Sequence, residues 1–204
     1  MLVDMRLCDF IEAVAAKTPT PGGGAVAAAA CALGSALGTM AARFSSGPEA
    51  VAAAGTLEEL KAAFVPLVDQ DAEAYNQVSA AFGLPKSNDD EKKRRKEAIQ
   101  NALKEAAEVP LQVMMSALRA LQALAEFAPR CNRNLVSDLA SAALMLGAGM
   151  EGAAHNVRIN AAMIDDKPMK ERLESEDRRL SAGAGELRAR TLADVEKLQK
   201  SGKK

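Results

Sequence analysis

Residues 18–42 of this 204-residue chain contain no charged side chain, and this uncharged run constrains the fold more than any other feature. A run of this length is long enough to span a membrane, but it consists mostly of Ala, Gly, Ser and Thr and has no flanking aromatic belt. Ala27, Ala30, Gly34 and Gly38 recur at helical spacing, and a Gly-x-x-x-Gly pair lets a neighbouring backbone approach closely. We therefore expect a helix buried among other helices, with no membrane partner.

The composition favours helices throughout the chain. Alanine, the best helix former and a poor strand former, is the most frequent residue, and tryptophan is absent. We expect an all-α fold: an antiparallel bundle of about six helices with a central buried Ala/Gly-rich helix, in a single domain 1–204 whose tail, 200–204, is frayed. Pro66 is expected to kink or divide its helix, and Pro110 is expected to interrupt its helix. The predicted helices cover residues 4–16, 24–44, 48–82, 89–127, 135–164 and 168–199.

Charge and residue usage exclude several classes of partner. The chain has 26 basic and 27 acidic side chains, so no strong field attracts nucleic acid or an anionic membrane. Aromatic residues make up 3%, too few for the stacking that binds single-stranded nucleic acid. Cys8, Cys31 and Cys131 are widely spaced and His155 is the only histidine, so we expect no metal site and a reducing, cytoplasmic location.

A glycine-rich segment, Thr18–Gly24, begins the uncharged run. Three successive glycines at the start of a helix allow backbone N–H groups to approach an anion or the edge of a ring. The segment is neither a Walker loop nor a dinucleotide fingerprint, because no Gly-Lys-Ser/Thr follows it and no strand precedes it. A tight reversal, where two helices meet too closely for side chains, is an equally good interpretation.

Two helices carry polar side chains at helical spacing. Asp71 and Tyr75 share a face of the third helix, where they form either an acid–base pair or part of a solvated surface. On the fifth helix, a stripe of polar and small residues extends from Asp138 to Asn156, about 27 Å apart, which is too far for one compact catalytic cluster. Its two ends lie at opposite ends of a cleft, belong to two sites, or only cap the helix and bond neighbouring backbone.

These segments together resemble the cyclodeaminase/cyclohydrolase family, which includes bacterial methenyltetrahydrofolate cyclohydrolases and the C-terminal domain of formiminotransferase-cyclodeaminase. The resemblance runs from about Phe10 to Asn160 and rests on four stretches in register. They are Thr18-Pro-Thr-Pro-Gly-Gly-Gly-Ala-Val, Asp71-Ala-Glu-Ala-Tyr75 with Leu84-Pro85-Lys86, Arg95 through Val109-Pro110-Leu111, and Asn132-x-Asn134-x-x-Ser137-Asp138 with Asn156-Val157-x-Ile159-Asn160.

The resemblance implies an all-helical homodimer that acts on a tetrahydrofolate derivative without a metal or a redox cofactor. A cyclohydrolase adds water to the bridging carbon of 5,10-methenyltetrahydrofolate and gives 10-formyltetrahydrofolate. A cyclodeaminase instead expels ammonia from 5-formiminotetrahydrofolate. The absence of a formiminotransferase domain from these residues favours the cyclohydrolase; the cyclodeaminase and a non-catalytic folate-binding protein are the alternatives.

The chemistry of this reaction suggests roles for the residues that match the family. The methenyl substrate is an amidinium-like cation, so a carboxylate near it stabilises binding and can take a proton from water. We favour Asp138 as this base, with Asp71 close behind. Basic residues are expected at the anionic glutamate tail, and glycine amides and asparagines around the pterin. The predicted binding residues are Pro21, Gly22, Gly23, Gly24, Tyr75, Lys86, Arg95, Asn132, Asn134, Asn156 and Asn160.

Overall fold

The computed structural model describes residues 1–201, which form helices joined by short loops. No strand occurs in this range, and the predicted all-α fold with about six helices is confirmed. Residues 202–204 of the predicted frayed tail lie outside the described residues. The α-helices are α1 (Leu7–Ala15), α2 (Gly23–Arg43), α3 (Pro48–Phe82), α4 (Asp89–Phe127), α5 (Val136–Met163) and α6 (Lys167–Ser201). Short 3₁₀ turns occur at Leu2–Asp4, Ala128–Arg130 and Arg133–Leu135.

Helix α2 is the central buried helix that the uncharged run predicts. It packs between α3 and α5, and its buried residues are small, among them Ala25, Ala28 and Gly38. Within residues 1–201 it is the one helix long and apolar enough to cross a membrane, and 56% of its apolar window is buried against the rest of the protein. The other side of α2 remains exposed and apolar, with Leu33 at its middle.

Helices α2 and α5 run antiparallel and nearly touch along their backbones. A Cβ atom added to Gly149 of α5 would lie 2.7 Å from the carbonyl oxygen of Ala27, and one added to Gly34 of α2 would lie 3.1 Å from that of Ala142. These contacts leave no room for side chains at the crossing, as the Gly-x-x-x-Gly pattern indicates. The crossing brings the start of α2 beside the C-terminal half of α5.

Neither interior proline divides its helix, so the predicted interruption at Pro110 is wrong, as is a division at Pro66. A proline removes one N–H group and leaves the carbonyl four residues earlier without its helical donor. For Pro110 that carbonyl belongs to Ala106, and it accepts a hydrogen bond from Nδ2 of Asn160 at 3.0 Å. A side chain of α5 thus replaces the missing helical donor.

Helix α6 covers α4 and α5 through leucines and one ion pair whose carboxylate is buried. Leu173 and Leu180 are almost fully buried. Between them Asp177, only 6% exposed, accepts hydrogen bonds from Nε and Nη2 of Arg158 at 2.6 and 2.9 Å. This paired, bidentate geometry compensates for burying the carboxylate. It attaches α6 to the C-terminal half of α5.

Two glycine-to-alanine substitutions test the close packing of α2 and α5. Gly149→Ala is expected to lower the free energy of unfolding by about 1–3 kcal/mol, because the new methyl group overlaps Cys31 and Ala27. Gly55→Ala in α3 is the matched control: it meets no atom within 4 Å and should raise stability by about 0.5–1 kcal/mol through helix propensity. Urea unfolding measures both, and equal effects would contradict the close contact.

Candidate active site

A cleft of about 500 Å³ opens at the N-terminal end of α2. The glycine-rich segment forms one side of it, the second half of α3 and part of α4 form two others, and the C-terminal half of α5 completes it. The lining residues are Pro19, Thr20, Gly22, Gly23, Gly24, Asp71, Ala74, Tyr75, Val78, Ser79, Phe82, Leu103, Ala106, Asn156, Ile159, Asn160 and Met163.

Asp71 joins α3 to the start of α2. Its Oδ2 atom accepts a hydrogen bond from the backbone N–H of Ala25 at 2.8 Å, so it binds one of the free N–H groups at the positive end of the helix. Partial burial raises the pKa of the Asp71 carboxyl above its ordinary value, and the Ala25 hydrogen bond opposes this rise. Its Oδ1 atom has no hydrogen-bond partner among the described residues and remains available in the cleft.

The glycine-rich segment allows this arrangement because Gly24 has no side chain. A Cβ atom at this position would overlap the carboxylate of Asp71. Gly22 is the N-cap of α2, and no acceptor within residues 1–201 binds the N–H groups of Gly23 and Gly24. Pro21 is buried behind the segment and does not line the cleft. The loop therefore presents two backbone donors beside a carboxylate.

Asn156 and Asn160 place two hydrogen-bond acceptors on the opposite side. The Nδ2 atom of Asn156 donates to the carbonyl oxygen of Gly152 at 2.9 Å, and that of Asn160 to Ala106 at 3.0 Å. Because both amide nitrogens are engaged, the two Oδ1 atoms are left to accept from a ligand. The cleft thus combines two N–H donors, two amide oxygens and one carboxylate.

Apolar side chains that the sequence analysis did not single out form the outer wall of the cleft. Phe82, Ile159 and Met163 are all partly exposed there, near Tyr75. The signal for Phe82 is present in the sequence, because Asp71, Tyr75 and Phe82 follow one another at helical spacing on α3. These side chains give an aromatic ligand a flat apolar surface.

The predicted tail-binding residues lie in a separate hollow of about 380 Å³ beyond Phe82. Arg95 donates from Nε and Nη2 to the carbonyl oxygen of Phe82 at 3.2 and 3.0 Å, and its guanidinium lies 5.6 Å from the centre of that ring. Arg95 therefore links the basic hollow to the wall of the cleft. The hollow is lined by Lys86, Lys92, Arg95, Lys96 and Ile99.

The remaining predicted residues lie at the other end of α5, outside the cleft. The side chain of Asn132 is fully engaged, because its Nδ2 donates to the carbonyl of Phe44 at 3.0 Å and its Oδ1 accepts from the N–H of Asn134 at 3.0 Å. Asp138 is half-buried, and its charge adds to the burial that raises the pKa of the Cys131 thiol. One chain alone does not bring Asp138 to Asp71, and both remain predicted catalytic residues.

Comparison with known proteins identifies the family. A family model described as formiminotransferase-cyclodeaminase matches residues 6–179. The chain is 34% identical over 194 residues to the methenyltetrahydrofolate cyclohydrolase of Methylorubrum extorquens, across 91% of this chain and 93% of that protein. This chain belongs to the formiminotransferase-cyclodeaminase family. The resemblance found in the sequence is thereby confirmed.

Other members of the family differ in length and in name. The formimidoyltransferase-cyclodeaminase of Rattus norvegicus is 36% identical over 179 residues, which cover 84% of this chain but 33% of that protein. This chain therefore spans about a third of that relative. The crystal structure of formiminotetrahydrofolate cyclodeaminase from Thermotoga maritima superposes with a TM-score of 0.85 at 30% identity, covering 97% of this chain and 99% of that one.

Two substitutions in the glycine-rich segment distinguish displacement of the Asp71 carboxylate from a simple narrowing of the cleft. Gly24→Ala is expected to displace the Asp71 carboxylate and reduce kcat/KM about 100-fold, the effect of misplacing a reacting group by about 1 Å. Gly23→Ala adds the same methyl group 3.6 Å from Nδ2 of Asn156, an ordinary contact, and should mainly raise KM. Equal kinetics for the two variants would contradict the role assigned to Gly24.

The raised pKa of Asp71 predicts opposite effects on stability and activity. A buried carboxyl keeps its proton to higher pH in the folded chain, so its contribution to stability is full below the unfolded pKa of about 3.9 and is lost as pH rises through the folded value. Asp71→Asn avoids that loss, so its stability relative to the native chain should increase as pH rises from about 4 through the folded pKa of Asp71. Its turnover should fall, and the acidic limb of the kcat/KM profile should disappear. Thermal unfolding across pH measures the first effect, and an advantage independent of pH would exclude it.

Proposed function

We propose that this chain hydrolyses 5,10-methenyltetrahydrofolate to 10-formyltetrahydrofolate. The observation that carries the proposal is the partly buried Asp71 carboxylate, held by Ala25 among backbone donors and amide oxygens in a cleft of ligand size. The Methylorubrum extorquens relative, named as this enzyme, aligns with nearly all of the chain and supports the same reaction.

The ligand's polar edge matches the groups in the cleft. The pterin ring presents an amide edge with N–H donors and a carbonyl oxygen. The Oδ1 atoms of Asn156 and Asn160 accept from the donors, and the N–H groups of Gly23 and Gly24 bind the carbonyl. Tyr75 and Phe82 pack against the rings. The basic hollow, with Lys86 and Lys96, binds the anionic glutamate tail, while Arg95 holds the wall between the two sites.

The reaction needs one group that both accepts and returns a proton. The bridging carbon carries delocalised positive charge, which the Asp71 carboxylate stabilises. Water adds to this carbon and gives a proton to the carboxylate. The carbon–N5 bond then breaks, N5 takes the proton from the carboxyl group, and the hydroxyl loses its proton to solvent as the formyl group forms on N10. The sum is one water consumed and one proton released, with no redox cofactor.

The second candidate is formiminotetrahydrofolate cyclodeaminase. It is favoured by the Thermotoga maritima relative, which carries that name and has nearly the same length, so chain length does not separate the two activities. In this reaction N10 attacks the formimino carbon and its proton passes to the formimino nitrogen, which becomes an amino group. The protonated carboxyl of Asp71 then supplies the second proton with which ammonia leaves and the methenyl cation forms. The same cleft and the same carboxyl group serve both reactions.

Two assays distinguish these activities. Loss of the near-ultraviolet absorbance of methenyltetrahydrofolate should be faster with the protein than in buffer, and about 100- to 10,000-fold slower with Asp71→Asn than with the native chain. The second assay supplies formiminotetrahydrofolate and measures ammonia. Ammonia release without hydrolysis would support the cyclodeaminase. Tight folate binding without either activity would identify a non-catalytic folate-binding protein and contradict both enzymatic proposals.

We also propose that the protein is a cytoplasmic homodimer. Cys8, Cys31 and Cys131 are all free thiols, which is typical of a reducing compartment. The exposed apolar sides of α1 and α2 support association, because Leu7 is 70% and Leu33 is 56% exposed. Helix α1 has no buried residue, and a helix of its length is not stable alone in water, so contact with a second chain would stabilise it.

A further inference from the structure

We infer that Gln100, in the first half of α4, is a positioning residue for substrate binding that fixes the outer wall of the cleft by holding the end of α5. This role deepens the proposed function and rests on it for its kinetic test. The observation behind it is a pair of hydrogen bonds between the side-chain amide of Gln100 and the backbone where α5 ends, next to the cleft residue Met163.

The amide of Gln100 binds the backbone on both sides of Ile164. Its Nε2 atom donates to the carbonyl oxygen of Met163 at 3.0 Å, and its Oε1 atom accepts from the N–H group of Asp165 at 2.7 Å. Ile164 is extended, with φ −81° and ψ 127°, so the two backbone groups point to the same side, as they do towards a neighbouring strand. A carboxamide can both donate and accept here, whereas an ionised carboxylate only accepts and a lysine only donates.

These bonds satisfy a helix end that has no partner of its own. The last four carbonyl groups of a helix find no donor within it, and Met163 is the last residue of α5. Ile164 is only 4% exposed, so its side chain anchors the segment in the core, whereas Met163 is 44% exposed and packing alone does not fix it. The position of Met163 therefore depends on the backbone that Gln100 holds.

Ion pairs attach the same segment to α4, but through side chains. Nζ of Lys96 lies 2.9 Å from a carboxylate oxygen of Asp165, yet both side chains are more than half exposed, and such a pair contributes little to stability. Lys104 binds the carboxylate of Asp166 at 2.6 Å, just before the start of α6. Gln100 makes its contact with the backbone itself, so it fixes the helix end more directly than either lysine.

The wall that Gln100 holds lies on the path of the substrate's arm. Ile159 and Met163 are one turn apart on α5, and with Phe82 of α3 they form the outer wall of the cleft. The basic hollow lies beyond Phe82. With the pterin among the amides and the glutamate tail in the basic hollow, the p-aminobenzoyl group between them passes along this wall.

The catalytic proposal and the wall are supported by different contacts. Asp71 is held by the N–H group of Ala25 at the start of α2, and Gln100 takes no part in that contact. Loss of the Gln100 hydrogen bonds should therefore loosen the end of α5 and leave the carboxylate in place. The result is weaker binding of the substrate's arm with an unchanged chemical step, which raises KM and leaves kcat as it is.

A variant of nearly equal side-chain length tests this role. Gln100→Met removes both hydrogen bonds, and KM for methenyltetrahydrofolate should rise about tenfold, as expected when the binding-competent conformation falls to about one tenth of the molecules, while kcat stays within about twofold. Gln122→Met is the matched control, because Gln122 is also on α4 but donates to Glu126 of the same helix. An unchanged KM, or a fall in kcat at unchanged KM, overturns the inference.

A shortened substrate shows where the effect arises. A methenyl-bridged tetrahydropterin that carries a methyl group on N10 in place of the p-aminobenzoylglutamate arm does not reach the outer wall. Its KM should be the same for the native chain and for Gln100→Met. A tenfold rise with this substrate as well would place the effect at the pterin or at Asp71, and it would overturn the positioning of the wall by Gln100.

Hydrogen exchange tests the contact without any enzymatic readout. The N–H group of Asp165 should exchange about tenfold faster in Gln100→Met than in the native chain, and Gln122→Met should leave it unchanged. Equal protection in all three chains overturns the inference.

Equilibrium binding separates this role from the proposed function. If the native chain binds methenyltetrahydrofolate without converting it, and Gln100→Met binds it about tenfold more weakly, the proposed reaction fails while the positioning role stands. If the native chain is active and Gln100→Met has the same KM and the same affinity, the positioning role fails while the proposed reaction stands.

Discussion

The hydrogen bond from the Ala25 N–H group to Asp71 is the interaction on which the rest of the site depends. It fixes the start of α2 against the middle of α3, and it orients the carboxylate so that one oxygen is bound and the other remains in the cleft. It forms only because Gly24 has no side chain in the space that the carboxylate occupies. A glycine at position 24 is therefore a condition of having the Asp71 carboxyl, a predicted catalytic group, at this place in the cleft.

Glycines also allow α5 to lie close to the cleft. Because Gly34 and Gly149 let α2 and α5 approach at backbone distance, the start of α2 lies beside Asn156 with no bulky residue between them. Larger residues at the crossing would separate the two helices and widen the cleft. The alanine and glycine content of the chain thus sets both the packing of the bundle and the width of the cleft.

Much of this arrangement could be predicted from the sequence, but the sequence did not show which end of each long helix lines the cleft. Helical spacing correctly placed Asp71 and Tyr75 on one face, and it separated Asp138 from Asn156 by five turns. The structure then assigned Asn156 to the cleft and Asp138 to the far end. Spacing within one helix does not determine which end meets a neighbouring element, because that depends on the crossing of α2 and α5. Nor could it reveal that the guanidinium of Arg95 binds a backbone carbonyl of α3.

Pro110 shows most clearly why local rules were insufficient. In isolation, a proline at this position deprives the Ala106 carbonyl of its helical donor and should weaken or interrupt α4. In the folded chain, Asn160 donates to that carbonyl, so the cost of the proline is offset by a hydrogen bond from a different helix. That bond also fixes the amide of Asn160 with its nitrogen turned to α4, and its oxygen is left for the ligand. Helix α4 continues through Pro110 because α5 supplies the replacement hydrogen bond. In turn, the exposed oxygen of Asn160 in the cleft depends on the carbonyl of α4 that Pro110 leaves without a helical donor.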